Sequence, residues 1–192
     1  MRTPKILIWD IESSYNKVLT FGVWEQDISP ENIITERFIH CISYKWYGKK
    51  KIYTISILDD PKRFKKNPHD DYYILGEFEK VIAEADAWVA HNGDKFDIKM
   101  FQGRLLLAGL KPLPSIPSYD TCKIARKYFS LNFNSLDYLA QKLGVGKKTN
   151  NPKNLWRLAF EGDSEALRKM PKYIRNDVVL LDKIFKILMR FV

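Results

Sequence analysis

The run Ile6 to Ile11 is apolar but for Asp10, and a second acid, Glu12, follows it directly. A short apolar run of this kind reads as a buried strand, and on a strand residues two apart point to the same face. Asp10 and Glu12 therefore project together. Acids are common where a strand turns out into solvent, but two of them closing so apolar a strand fit that ordinary reading poorly. Burying unpaired charge is costly, and a bound cation relieves it.

The rest of the chain alternates. Segments 37–47 and 50–58 are rich in β-branched and aromatic residues and meet at Gly48 beside a lysine turn, which predicts a hairpin. Between the first strand and this hairpin, 13–37 reads as irregular. Leu75, Phe78, Val81 and Ile82 lie at helical spacing, and the apolar run from Ala87 to Asn92 predicts a strand. A helix over 96–107 is stopped by Gly109 and by Pro112, Pro114 and Pro117, and a short strand ends near Tyr119. Helices follow over 121–129 and 135–143, then a loop over 144–154. A last helical region starts at Asp163 or Ser164, with Pro171 expected to interrupt it before the run to Phe191. This order predicts a single α/β domain, residues 1–192, with a mixed sheet.

Two further groups of residues repeat the acidic theme. Tyr173 and Asp177 lie four apart in a helical run, so they share one face on neighbouring turns. Asn92, Phe96 and Asp97 stand where the strand over 87–92 gives way to a helix, with Asp94 the expected structural cap and His91 a packed or hydrogen-bonded residue. In this order the segments Asp10-Ile11-Glu12, Asn92 to Asp97 and Tyr173 to Asp177 resemble the three motifs of the DEDD superfamily of 3′–5′ exonucleases, in the branch that carries a tyrosine (DEDDy). The sister branch has a histidine five residues before the last aspartate, where this chain has Lys172. The proofreading exonuclease domains of DNA polymerases belong to the same group.

That resemblance implies an RNase H-like exonuclease fold, a five-stranded mixed sheet flanked by helices. It also implies a two-metal 3′–5′ exonuclease that hydrolyses single-stranded DNA ends to nucleoside 5′-monophosphates. Asp10, Glu12, Asp97 and Asp177 would be the metal ligands, with Asp10 bridging, and Tyr173 would complete the catalytic set. Oxygen-only ligands without His or Cys suit Mg²⁺ or Mn²⁺, so two such divalent ions are the expected cofactors. A tyrosine of ordinary pKa near 10 is a poor base, which makes Tyr173 an orienter of the attacking water. Asn92 and Phe96 are the candidate contacts to the sugar-phosphate and terminal base, with Phe96 equally suited to anchoring its helix. Phe21 and Trp24 could form a stacking surface, though ordinary core packing is the expectation for both. A 3′ exoribonuclease on the same scaffold and a catalytically inactive nucleic-acid-binding accessory module are the alternatives, the latter disfavoured because the full acidic set is present.

Charge points the same way. The 192 residues carry a formal net charge of +9 in spite of the acids just named, which suits a polyanionic partner. Basic clusters fall at Lys49 to Lys51, at Lys62, Arg63, Lys65 and Lys66, at Lys147, Lys148 and Lys153, and around Tyr173, where Lys172 and Arg175 are the candidate phosphate contacts. Cys41 and Cys122 form no metal-binding spacing and read as buried free thiols. No apolar stretch is long enough to span a membrane, and no signal peptide pattern opens the chain. An intracellular protein is expected, in a cytoplasmic, nucleoid or viral replication setting, with a polymerase or repair partner acting in trans among the options.

Overall fold

The computed structural model describes residues 2–150 and 152–192. In chain order the elements are strands β1 (Ile6–Ser13), β2 (Lys17–Val18), β3 (Ile33–Thr35), β4 (Ile39–Trp46) and β5 (Tyr53–Ser56), then helices α1 (Pro61–Lys66) and α2 (Tyr72–Ile82). Strand β6 (Ala87–Ala90), helix α3 (Asp97–Leu107), strand β7 (Ser118–Asp120) and helices α4 (Thr121–Tyr128), α5 (Leu136–Lys142), α6 (Leu155–Phe160) and α7 (Ser164–Leu188) complete it. Five strands form one sheet in the order β5-β4-β1-β6-β7. β4 runs antiparallel to β1 and β5, while β6 runs parallel to both β1 and β7. This is the expected α/β architecture, with β1 at its centre.

The two faces of β1 divide the molecule. Leu7, Trp9 and Ile11 point into a core shared with α2 and α3, where the Trp9 ring lies 5.0 Å from Phe78 and 6.2 Å from Phe101. Ile8 points the other way, into a core with Val89 from β6 and Val178, Leu181 and Ile184 from α7. Asp10 and Glu12 follow Ile8 at the period of two and so lie on the α7 side. The strand thus delivers its acids against the helix that carries Asp177.

Helix α7 corrects one expectation. Pro171 lies inside it and does not interrupt it. A proline forfeits the bond to the carbonyl four residues back, a cost of about 3 kcal/mol in a helix interior. Here the buried stripe Leu167, Met170, Ile174, Val178, Leu181 and Ile184 runs through the position, and that packing holds the turn on both sides. Helix α6, just before it, has no counterpart among the predicted elements.

Segment 13–37 is also more regular than expected. β2 and β3 pair as a small antiparallel ribbon, Lys17 opposite Thr35, that projects from the site end of β1. At its far end Phe21 and Trp24 are exposed, Trp24 at 83%. The expectation that they pack in the core is wrong: the stretch between β2 and β3 that carries them contributes to neither hydrophobic core. Cys41 and Cys122 are buried free thiols, as the spacing implied.

Candidate active site

Carboxylate oxygens of Asp10, Glu12 and Asp177 come together, all within 4.8 Å of one another. Two come from the end of β1 and the third from the middle of α7. Asp97 opens the first turn of α3 and is buried; its Oδ1 accepts from the backbone N–H of Ile11 at 3.1 Å, between the two acids of β1. The structure therefore brings all four sequence-derived acids to one place, three in mutual reach and Asp97 tied in through the backbone.

The turn that delivers Asp97 depends on two unusual positions. Asn92 adopts a left-handed conformation, φ 60°, which asparagine tolerates better than most residues. A Cβ on Gly93 would stand 2.2 Å from Ala90 Cβ, so only glycine lets the chain fold back onto β6 here. Asp120 holds the same turn: it accepts from the N–H groups of Asn92 and Asp94 and also caps α4 through Cys122 and Lys123. Asp94 is structural but is not a cap. It accepts from Ser118 Oγ at 2.6 Å and pairs with Lys123. His91 is hydrogen-bonded to Thr121 Oγ1 at 2.8 Å, as expected of a packed histidine.

Crowding and burial leave these acids short of counter-charge. Desolvation, followed by Asp97, Asp177 and Glu12, holds the Asp10 carboxyl well above the usual carboxylate range. Glu12 is pushed up to about 7 by burial and then by Asp177; Asp97 rises to about 7 chiefly through burial. Asp177 is raised by burial too, but less freely, because Lys148 pulls the other way.

Lys148 is the residue whose role the basic cluster at 147–153 did not reveal. Its Nζ lies 2.6 Å from Asp177 Oδ2, and although burial works against its charge, Asp177, Asp10 and Glu12 keep it firmly protonated. The loop that carries it is anchored. Gly146, at φ 142°, packs where a Cβ would stand 2.9 Å from Leu180, Asn176 donates to the Lys147 carbonyl, and the Lys148 N–H donates to Asp137. Trp156, on the unforeseen α6, donates from its indole Nε1 to Glu12 Oε2 at 3.3 Å.

The other predicted residues occupy distinct places. Tyr173 is half-buried one turn before Asp177 and packs against the larger core. Arg175 donates from Nε to Thr54 Oγ1 at 2.8 Å, on the edge strand β5, and Lys172 is exposed. Among the described residues neither forms an ion pair with the four acids. Phe96 is half-buried beside the cluster, in a groove of about 490 Å³ lined also by Glu12, Tyr15, Arg37 and Trp156.

The donor set is compatible with hard divalent cations. It is built of carboxylate oxygens alone, and a lysine ammonium already sits among them as a stand-in cation.

Comparisons with known proteins follow the same lines. The profile of the RNase H superfamily matches residues 35–189, a span that begins after Asp10 and Glu12. A search of curated proteins returned no match. Among solved structures, a family B DNA polymerase from the hyperthermophilic archaeon Pyrobaculum calidifontis superposes with a TM-score of 0.70 at 15% identity. The alignment covers 98% of this chain and 25% of the polymerase, so the chain spans about a quarter of that protein's length.

Proposed function

Because the chain belongs to the RNase H superfamily, we propose that it is a metal-dependent nuclease, and specifically a 3′–5′ exonuclease that trims single-stranded DNA ends to nucleoside 5′-monophosphates. Superfamily and fold support the nuclease. The finer reading rests on one observation: acids from the first strand and from the last helix converge within 4.8 Å, with Asp97 bonded into the same strand end and a tyrosine one turn away. Polarity and DNA preference follow from the motif resemblance.

Asp10, Glu12, Asp97 and Asp177 would hold two Mg²⁺ or Mn²⁺ ions. Such ions supply charge neutralisation on the phosphate, an acidified water and stabilisation of the leaving 3′-oxygen. The protein's own groups do the rest. Trp156 fixes the orientation of Glu12 through its indole N–H, as outer partners of ligating carboxylates do. Tyr173 offers a hydroxyl that orients the attacking water without accepting its proton. Lys148 balances the acids until substrate and cations arrive, and its ammonium can then turn to a phosphate oxygen. Asn92 and Phe96 face the terminal nucleotide, with the Phe96 ring stacking on its base; Lys172 and Arg175 are the phosphate contacts on the α7 side.

End-labelled oligonucleotides test this. With Mg²⁺ or Mn²⁺, a 5′-labelled DNA single strand is expected to give a descending ladder that a 3′ phosphorothioate cap slows and EDTA stops. Faster digestion of the matching RNA would make the enzyme an exoribonuclease. Cutting of circular single strands would make it an endonuclease.

A further inference from the structure

Next to the groove beside Glu12 lies a second concavity of about 290 Å³, walled by Arg37, Lys95, Phe96, Lys99, Met100 and Leu107. Arg37 and Phe96 line both, so the two concavities adjoin. Their shared wall is ordered: the Arg37 guanidinium lies over the Phe96 ring, 5.9 Å from its centroid, and the Arg37 N–H donates to Asn16 Oδ1 at 2.9 Å. Lys95 lies in the turn just before α3 and Lys99 in its first turn, and both line this concavity.

The charge of this rim is uncommitted. Among the described residues Arg37, Lys95 and Lys99 form no ion pair, whereas Arg104, deeper in the wall, is held by Asp71 at 2.8 Å. Glu36 is the one carboxylate on the lining. Three free cations line one concavity and Glu12 of the acid cluster lines the next, so the charge changes sign across the Arg37–Phe96 wall. A polyanion would lie along the basic part and meet the acids only at its end.

We propose that Arg37, over the Phe96 ring, together with Lys95 and Lys99 forms the track that holds the phosphodiester backbone of a single strand next to the end being cut. The proposal rests on the exonuclease reading, since only an end-directed enzyme has its strand leaving the site in one direction. Single strands suit the track because its floor and the adjoining groove offer Phe96, Tyr15 and Trp156 to unpaired bases, and base–aromatic stacking takes any sequence. The residues are distinct from Lys172 and Arg175, which lie on α7.

The test is binding without turnover. A fluorescein-labelled dT oligonucleotide is titrated in EDTA at several salt concentrations, with fluorescence anisotropy as the readout. The triple variant Arg37→Gln, Lys95→Gln, Lys99→Gln is expected to flatten the slope of log affinity against log salt by about 2, at roughly 0.7 per lost phosphate contact. Lys95→Arg with Lys99→Arg should keep the wild-type slope, and Lys62→Gln with Lys65→Gln on α1 should leave it unchanged. All three track residues are exposed, so the melting temperature should stay near wild type. A triple variant with the wild-type slope overturns the track, even if the wild-type enzyme digests DNA. A flattened slope in a protein that digests nothing keeps a single-strand track and removes the exonuclease reading that sets it next to a cut end.

Discussion

Lys148 Nζ lies 2.6 Å from Asp177 Oδ2, so the last of the four acids carries its own internal counter-ion. The lysine comes from an anchored loop and is only partly shielded from solvent, which makes it a competitor that cations can displace.

Lys148→Met should therefore tighten Mn²⁺ binding. Removing a unit charge a few ångströms from the acids raises divalent-ion affinity by about tenfold, a fraction of the Coulomb interaction at that distance. Cleavage should fall all the same, because the ammonium is lost to the phosphate. Isothermal titration with Mn²⁺ beside a kinetic assay measures both; unchanged affinity would show that the ion pair does not oppose metal.

Asp10→Asn and Asp177→Asn should each lower cleavage by more than about 10²-fold, beyond the 10–100-fold typical of losing an outer partner of a metal ligand. Their metal-free stabilities should diverge. Asp10 is surrounded by Asp97, Asp177 and Glu12, so neutralising it relieves repulsion and raises Tm by about 2–4 °C, the shift that ~1 kcal/mol produces in a chain of this size. Asp177→Asn removes the carboxylate paired directly with Lys148, and that loss offsets the relief. Differential scanning calorimetry in EDTA distinguishes the two, and equal shifts would contradict the pairing.

Trp156→Phe keeps the packing of α6 and deletes one hydrogen bond to Glu12. Mn²⁺ affinity should fall about tenfold while Tm changes little. A loss of stability without a loss of affinity would make Trp156 a packing residue.

Glu12 and Asp97, both pushed up to about 7, keep protons in the folded chain that the unfolded chain has already released above about pH 4–5. Their contribution to metal-free stability therefore declines as pH rises from that range through about 7. His40 and His91, both lowered to about 4 chiefly by burial, act in the opposite sense, adding stability as pH rises from about 4 to about 6.5. The histidine contribution is common to both states of loading and cancels in a difference. The rise in Tm caused by Mn²⁺ should thus grow with pH up to about 7 and then level off. A constant increment between about pH 5 and 8 would mean that the acids give up no protons to the metal.

Much of this was legible in the sequence because the local signals are strong. The alternation of Leu7, Trp9 and Ile11 against Ile8, Asp10 and Glu12 places the acids on one face without reference to the rest of the fold, and the four-residue step from Tyr173 to Asp177 does the same on a helix. Lys148 and Trp156 carry no such signal. One belongs to a loop whose course is set by Gly146 against Leu180, the other to a two-turn helix too short to show a period, and what each touches is decided by tertiary packing. Phe21 and Trp24 failed for the reverse reason: large aromatics are usually interior, and nothing local marks a ribbon that leaves the core.

Asp10 and Glu12 come from the first strand and Asp177 from the last helix, and this has a bearing on the order of assembly. During synthesis Asp10 and Glu12 emerge and pair into the sheet long before α7 is available. The cluster cannot exist until α7 docks, and in the absence of cations that closing step brings like charges together. Divalent ions would act on this step alone, slowing the departure of α7 while leaving the pairing of β1 with β4 untouched. Amide exchange along α7 would then report the loading of the centre as directly as any assay of cleavage.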